Sequence, residues 1–195
     1  SLNNVFAQRV LKERDENGIR ILERFNAHQA TVWGMNAEGK AVFSKWFSLQ
    51  SGLTVQRSEY KDAVEWDEDA PAEKKFLRTP NVYGYFTMQS SPVKRLSIAL
   101  SGNYNGRMLV GHAAGSGVEK PVAVRTPSFF TLSLKASYDF DIYKQVKAQL
   151  NAGIQNIGNV YQRDLDKGWN RDASYIYGPS LPRCFYVGLR SEERR

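Results

Sequence analysis

FFTLSLKASYDF, running from Phe129 to Phe140, changes character at every step. Phe130, Leu132, Leu134, Ala136, Tyr138 and Phe140 fall on one side of an extended chain. Phe129, Thr131, Ser133, Lys135, Ser137 and Asp139 fall on the other. A period of two sustained for this long is a strand signal, because successive side chains of a strand point to opposite faces. RLSIALSGNYNGR repeats it, with Leu96, Ile98, Leu100, Gly102 and Tyr104 against Ser97, Ala99, Ser101, Asn103 and Asn105. So does VKAQLNAGIQN, where Val146, Ala148, Leu150, Ala152 and Ile154 alternate with Lys147, Gln149, Asn151, Gly153 and Gln155. FSLQSGLTVQRSEY adds Phe47, Leu49, Leu53 and Val55.

These runs are long. Strands of ordinary globular domains have ~5–6 residues, whereas strands that cross an outer membrane have ~9–11 and tilt by ~45°. Aromatic residues close the apolar face at its ends, with Phe130 at one end and Tyr138 and Phe140 at the other. Rings with an apolar body and a polar tip suit the two membrane interfaces. The predicted lipid-facing set is Leu96, Ile98, Leu100, Leu132, Leu134, Leu150 and Ile154. The predicted luminal set is Lys135, Asp139, Lys147, Gln149, Asn151 and Gln155. A β-sandwich with aromatic edges on its inner face is the soluble alternative.

Eight strands are predicted, at 3–12, 19–36, 43–60, 79–90, 94–108, 128–140, 145–157 and 182–190. AEGKAV, SSPV and DIYK read as tight turns, and residues 61–78, 109–127 and 158–181 as long connections. Short and long connections alternate, which places every long one on one rim, as in barrels of the outer membrane. ERDENG, at Glu13 to Gly18, is short where a long connection is expected. The fold class is therefore all-β, an antiparallel up-and-down transmembrane barrel segment. Pairing of 3–12 with 182–190 would instead close a self-contained eight-stranded barrel.

Composition narrows the function. The chain has 195 residues, 42% hydrophobic and 24% charged, unlike a disordered tail. Its net charge of +7 comes from Lys and Arg scattered singly, without the basic stripe of a nucleic-acid binder. The beginning, SLNNVFAQRV, has no signal-peptide pattern. With one cysteine and two distant histidines, the sequence offers no metal set, and no cofactor or catalytic residue is assigned. GHAAGSG, Gly111 to Gly117, lacks the ending of a phosphate loop. DLDKG begins like a calcium loop, but Tyr175 stands where its bidentate Glu belongs. Asp164, Asp166 and Asp172 are expected to form Asx turns and to pair with Arg163 or Arg171. The candidate solute-binding residues are the loop groups Trp66, His112, Trp169, Arg171, Tyr175 and Tyr177, which could stack on and neutralise a passing solute. Nothing points to an enzyme.

One stretch resembles a known family. LNAGIQNIGNVYQRDLDKGWNRDASYIYGPSLPRCFYVGLR is similar to the C-terminal end of TonB-dependent outer-membrane receptors, of the siderophore and vitamin branch. The resemblance is carried by Asn156-Ile157-Gly158-Asn159, by Tyr161-Gln162, by Asp164, Asp166 and Gly168, and by Arg171-Asp172. It continues through Tyr175, Tyr177, Gly178, Pro179, Pro182 and Arg183. RTPNVYGYFTMQSSPVKRLSIALSGNYNGRM and QATVWGMNAEGKAVFSKWFSLQSGLTV resemble the family's consecutive barrel strands.

The resemblance implies that residues 1–195 are the C-terminal part of a barrel of about 22 strands, which also contains a plug domain. It implies import of a scarce solute such as an iron-siderophore, haem or cobalamin across the outer membrane of a Gram-negative bacterium. The partners it implies are outer-membrane lipid, the plug domain, and a TonB-type energy transducer acting through an N-terminal part absent here. The ending GLRSEERR, where such barrels commonly finish in an aromatic residue, implies a fragment or truncated product.

Overall fold

The computed structural model describes residues 1–115, 117–143 and 146–193. Ser116 of GHAAGSG, Lys144 of DIYK, Gln145 at the start of a predicted strand, and the terminal Arg194 and Arg195 lie outside them. The strands are Leu2–Asn3 (β1), Phe6–Arg14 (β2), Arg20–Asn26 (β3), Gln29–Ser44 (β4), Phe47–Val64 (β5), Glu73–Lys75 (β6) and Val82–Val93 (β7). They continue as Leu96–Asn105 (β8), Leu109–His112 (β9), Val122–Arg125 (β10), Phe129–Tyr143 (β11), Val146–Gln155 (β12) and Cys184–Glu193 (β13). Among the described residues there is no helix.

Nine strands form one antiparallel sheet in the order β1-β4-β5-β7-β8-β11-β12-β13, with β6 paired to β5. Its long members have 10 to 18 residues. Each neighbours the next in sequence, so the chain meanders up and down. The remaining strands form two hairpins, β2–β3 and β9–β10.

Register carries the alternation from strand to strand. Leu53 pairs with Ala37 and Gly84, Leu100 with Met88 and Leu134, Leu134 with Ile154, and Ile154 with Phe185. All seven predicted lipid-facing residues lie on this one continuous apolar face. Among the described residues nothing covers it: Leu134 is 37%, Leu150 45% and Leu189 68% exposed. A soluble sandwich must bury such a face against a second layer, so the sandwich alternative fails. Aromatic residues bound the face at both rims. Trp33, Tyr104, Phe130 and Phe185 stand toward one rim, and Phe43, Trp46, Tyr138 and Phe140 toward the other. Trp33 to Phe43, and Phe130 to Phe140, span ~34 Å of strand at ~3.4 Å per residue, or ~24 Å of height when tilted by ~45°.

The structure corrects three readings near the N-terminus. Residues 3–12 and 19–36 are not two barrel strands. Instead β2 and β3 make a hairpin of their own, and 19–36 breaks at His28, whose positive φ of 62° turns the chain into β4. AEGKAV is not a turn but the middle of β4: Ala37, Gly39 and Ala41 lie on the apolar face, and the chain reverses at 45–46. ERDENG is the tip of the β2–β3 hairpin, inside a long connection between β1 and β4, so the exception to the alternation disappears. Four long connections, 4–28, 65–81, 106–128 and 156–183, now share one rim. Within the described residues β13 pairs with β12 alone, and 6–14 pair with 20–26, so the closing contact of a self-contained barrel is not made.

Candidate functional site

The face opposite the apolar one is polar and internally hydrogen-bonded. Lys135, Asp139, Lys147, Gln149, Asn151 and Gln155 all lie on it, as predicted from the alternation. Ser137 donates from Oγ to Asn151 Oδ1 at 2.7 Å, and Gln149 Nε2 to Asp139 Oδ1 at 2.7 Å. Glu38 accepts from Tyr85 Oη and from Gln50 Nε2. Near the long-connection rim this face hollows into a recess of about 680 Å³. Its floor comes from β8, β11 and β12, including Asn103, Thr131, Lys135 and Gln155; residues 177–181 of the last connection also line it.

That last connection is closed at its base by two asparagines. Asn156 adopts a φ of 49°, donates from Nδ2 to the carbonyls of Val160 and Leu181, and accepts from Val160 N–H. Asn159 Oδ1 accepts from Arg183 N–H at 3.0 Å. Inside the loop, Gln162 is buried and bridges both tyrosines. Its Nε2 donates to Tyr175 O at 3.1 Å and its Oε1 accepts Tyr177 N–H at 2.9 Å.

The long connections are clasped to one another. His112 of β9 stacks on Tyr175 with centroids 3.8 Å apart and planes 9° apart, and its Nε2 lies 2.9 Å from Asp166 Oδ2. Asp164 accepts from Tyr175 Oη at 2.9 Å and from Tyr177 Oη at 2.5 Å. Asp172 Oδ2 accepts Ala113 N–H at 2.8 Å. Arg78, in the connection after β6, donates to the carbonyls of Ser174 and Ile176. Trp66 lies flat across Gly111, where an added Cβ would come within 2.7 Å of its ring. Asp67, fully buried, pairs with Arg20 of the β2–β3 hairpin at 2.9 Å. The buried hydrophobic residues Val110, Phe129 and Tyr175 belong to this rim or border it.

The clasp depends on which groups keep their protons. Burial pushes the Tyr175 phenol up from 10.0 to about 12, reinforced by its hydrogen bond to Asp164. Tyr177 is raised further by the same two causes. Burial also raises Asp164, but the donors Tyr177 and Tyr175 outweigh it, and the carboxyl ends below its ordinary range. Asp172 is lowered likewise: burial opposes, while Ser174 and the Ala113 N–H prevail. For the raised tyrosines, the stabilisation is complete below the unfolded value of ~10 and is lost as pH climbs toward the folded values. For the lowered carboxyls, it is complete above ~3.9 and is lost as pH falls through the folded values. The clasp is therefore expected to hold across neutral pH and to open at both extremes. Tyrosinate absorbance should show late-ionising phenols that Tyr175→Phe and Tyr177→Phe each diminish. Unchanged titration curves in both variants would mean that the clasp is open in solution.

Of the six candidate solute-binding residues, three are brought together, by contacts within the protein. His112, Tyr175 and Tyr177 touch one another or share Asp164, whereas Trp66 packs on Gly111, whose Cβ side faces away from the His112 side chain along the strand. Trp169 is 99% exposed at the crest of the last loop, and Arg171 is exposed nearby. The aspartates of that loop bind His112, the two tyrosines and backbone N–H groups instead of Arg163 or Arg171, because those partners are presented by a neighbouring loop and by the far end of the same loop. Gln162 and Arg78 were not singled out for the site; both sit in motifs, Tyr161-Gln162 and Arg-x-Pro, that recur in the resemblance. Among the described residues, no three His, Cys, Asp or Glu side chains gather as a metal set.

Comparison with known proteins places the fold. No family model and no curated protein matches the sequence. Solved structures do. The ferric-catecholate import receptor Fiu of E. coli K12 matches 93% of this chain at 20% identity and a TM-score of 0.55. The copper transporter OprC matches 96% at 13% identity and a TM-score of 0.65. The ferripyoverdine receptor of the outer membrane of Pseudomonas aeruginosa matches 92% at 13% identity and a TM-score of 0.55. This chain spans 22%, 26% and 21% of those chains, respectively. Its fold is thus that of part of the β-barrel of these neighbours, which are themselves transport receptors.

Proposed function

We propose that this chain is barrel wall and external loops of a TonB-dependent outer-membrane receptor that imports a scarce solute, such as an iron-siderophore, haem or cobalamin. Residues 1–195 belong to the C-terminal part of its barrel domain. The apolar face meets outer-membrane lipid, and the polar face lines a lumen that holds a plug domain. The energy transducer engages the receptor through its N-terminal part, and the chain itself carries no catalysis.

The observation that carries this reading is a single sheet whose exposed apolar face is banded by aromatics, with every long connection on one rim. A sheet built this way is at home only where hydrocarbon covers one side and water the other. The solute meets the clasped loops first, with Trp169 and Arg171 outermost. Disruption of the gene in its own bacterium under iron limitation provides the test. Uptake of at least one of ferric catecholate, ferric hydroxamate, haem or cobalamin should disappear in the mutant. In the parent it should disappear when the proton gradient is collapsed. Parental uptake of all four in the mutant, or uptake indifferent to the gradient, would refute the reading.

A further inference from the structure

We infer that the rim of the short turns is a docking surface for the phosphate headgroups of an anionic phospholipid, with Lys45 and Lys94 as its charged contacts; this rests on the membrane reading above. The turns repeat one pattern. Ser44 pairs with Phe47 across Lys45-Trp46, and Val93 pairs with Leu96 across Lys94-Arg95. Tyr143 pairs with Val146, and Lys144 holds the same first place in the sequence between them. Each reversal thus opens on a lysine. Residues 42–49, 91–98 and 142–149 contain no Asp or Glu.

The surroundings decide what those charges meet. Lys45 and Lys94 are exposed, and among the described residues neither side chain makes an ion pair or a hydrogen bond. Arg95 differs, because it pairs with Asp141. Asp139 accepts from Gln149, and Glu192 and Glu193 belong to β13, three strands beyond β8. On the opposite rim cations and anions are mixed and satisfy each other: Arg9 pairs with Glu23, Lys12 with Asp69, and Arg20 with Asp67. The turn lysines also stand beside exposed apolar groups. Val42, Phe43 and Trp46 flank Lys45, and Val93 precedes Lys94. An acidic soluble partner would leave those groups in water. A bilayer surface takes both: the apolar and aromatic groups enter the boundary of the hydrocarbon, while each ammonium, on its flexible stem, reaches the headgroup phosphates. A phosphodiester carries a full negative charge and accepts a charge-assisted hydrogen bond. A zwitterionic headgroup offers the same phosphate beside its own cation, so its net attraction for the rim is smaller.

The test uses the full-length receptor in phosphatidylcholine vesicles that hold a small fraction of one of two probes. The probes are phosphatidylglycerol and phosphatidylcholine, each carrying the same photoreactive group next to the headgroup. Adducts are mapped by peptide mass spectrometry. In the wild type, labelling of 42–49 and 91–98 by the anionic probe should exceed that by the zwitterionic one roughly fivefold, the factor for one basic group near an anionic surface. Lys45→Gln/Lys94→Gln should bring it down to the zwitterionic level, and Lys45→Arg/Lys94→Arg should retain it. Lys40→Gln/Lys135→Gln removes the same charge from the polar face and should leave it unchanged. Equal labelling by both probes in the wild type would overturn the docking surface while leaving the membrane reading intact. So would an equal fall in the polar-face variant, which would make net charge the cause. Labelling unchanged in Lys45→Gln/Lys94→Gln while uptake falls would assign the lysines to an acidic soluble partner, and would also overturn it. No adduct of either probe on either rim of the sheet would remove the membrane reading as well.

Discussion

Leu134→Arg is expected to cost about 2–4 kcal/mol of the stability of the inserted barrel, the range for Arg or Lys at the bilayer midplane. Leu134 stands midway between Phe130 and Tyr138 on β11, flanked across the sheet by Leu100 and Ile154. The substitution would thus put a guanidinium at the deepest point of the apolar band, too far from either interface to reach water easily. Gln89→Arg is the matched control. Gln89 pairs with Ala99, which pairs with Lys135, so it lies at the same height on the opposite, polar face. It is exposed, and a cation there stays in water at a cost of a few tenths of a kcal/mol. Denaturant titration of the full-length protein folded into phospholipid vesicles measures both. Equal costs for the two variants would show that the leucine-bearing face does not lie in hydrocarbon, and the receptor reading would go with it.

Tyr175→Ala should be the most damaging change in the loops, worth about 3–5 kcal/mol of local stability, as for other buried aromatic truncations. Tyr175 is 3% exposed, stacks on His112, meets Tyr177 edge-on at 5.3 Å, and donates to Asp164. Its removal leaves a hole between two connections and strips one donor from a carboxylate. The barrel strands do not depend on it, so the loss should be confined to the rim. Hydrogen exchange should speed up in 156–183 and also in 109–113, which contact the loop only through the clasp. Tyr175→Phe keeps the stack and loses the hydroxyl, so it should show a smaller effect of about 1.5–3 kcal/mol. Acceleration limited to 156–183 in Tyr175→Ala would show that the two connections are not joined.

The parts of the fold that were legible in the sequence are those where one physical rule acts alone. From Leu96 to Asn105, from Phe129 to Phe140 and from Val146 to Gln155, side chains alternate between an apolar and a polar face, and the strands lie within two or three residues of their expected bounds. AEGKAV misled because Glu-Gly-Lys has the composition of a turn. In place, Gly39 sits between Ala37 and Ala41 on the apolar face while Glu38 and Lys40 face the other way, so the pattern of two continues with small residues. The break at His28 had no such signal, since a positive φ at a histidine depends on Asn4 donating its backbone N–H to the His28 carbonyl. The site was half legible. Trp66, His112, Tyr175 and Tyr177 stood out as loop aromatics. What hid the joining of the loops is distance along the chain: His112 and Asp166 are 54 residues apart, and Arg78 and Ile176 98. No local spacing rule spans such separations.

The interlocking of the connections has a mechanical meaning. Leu77 bridges to Leu109, Trp66 lies on Gly111, His112 on Tyr175, and Arg78 reaches the carbonyls of 174 and 176. Three connections thus form an arch with Tyr175 as its keystone. A force applied at any one pier is shared by the others, so displacing one connection requires loosening its joints to the rest. A probe approaching this rim from outside meets connections braced against one another, and the weakest of those joints sets how far they part.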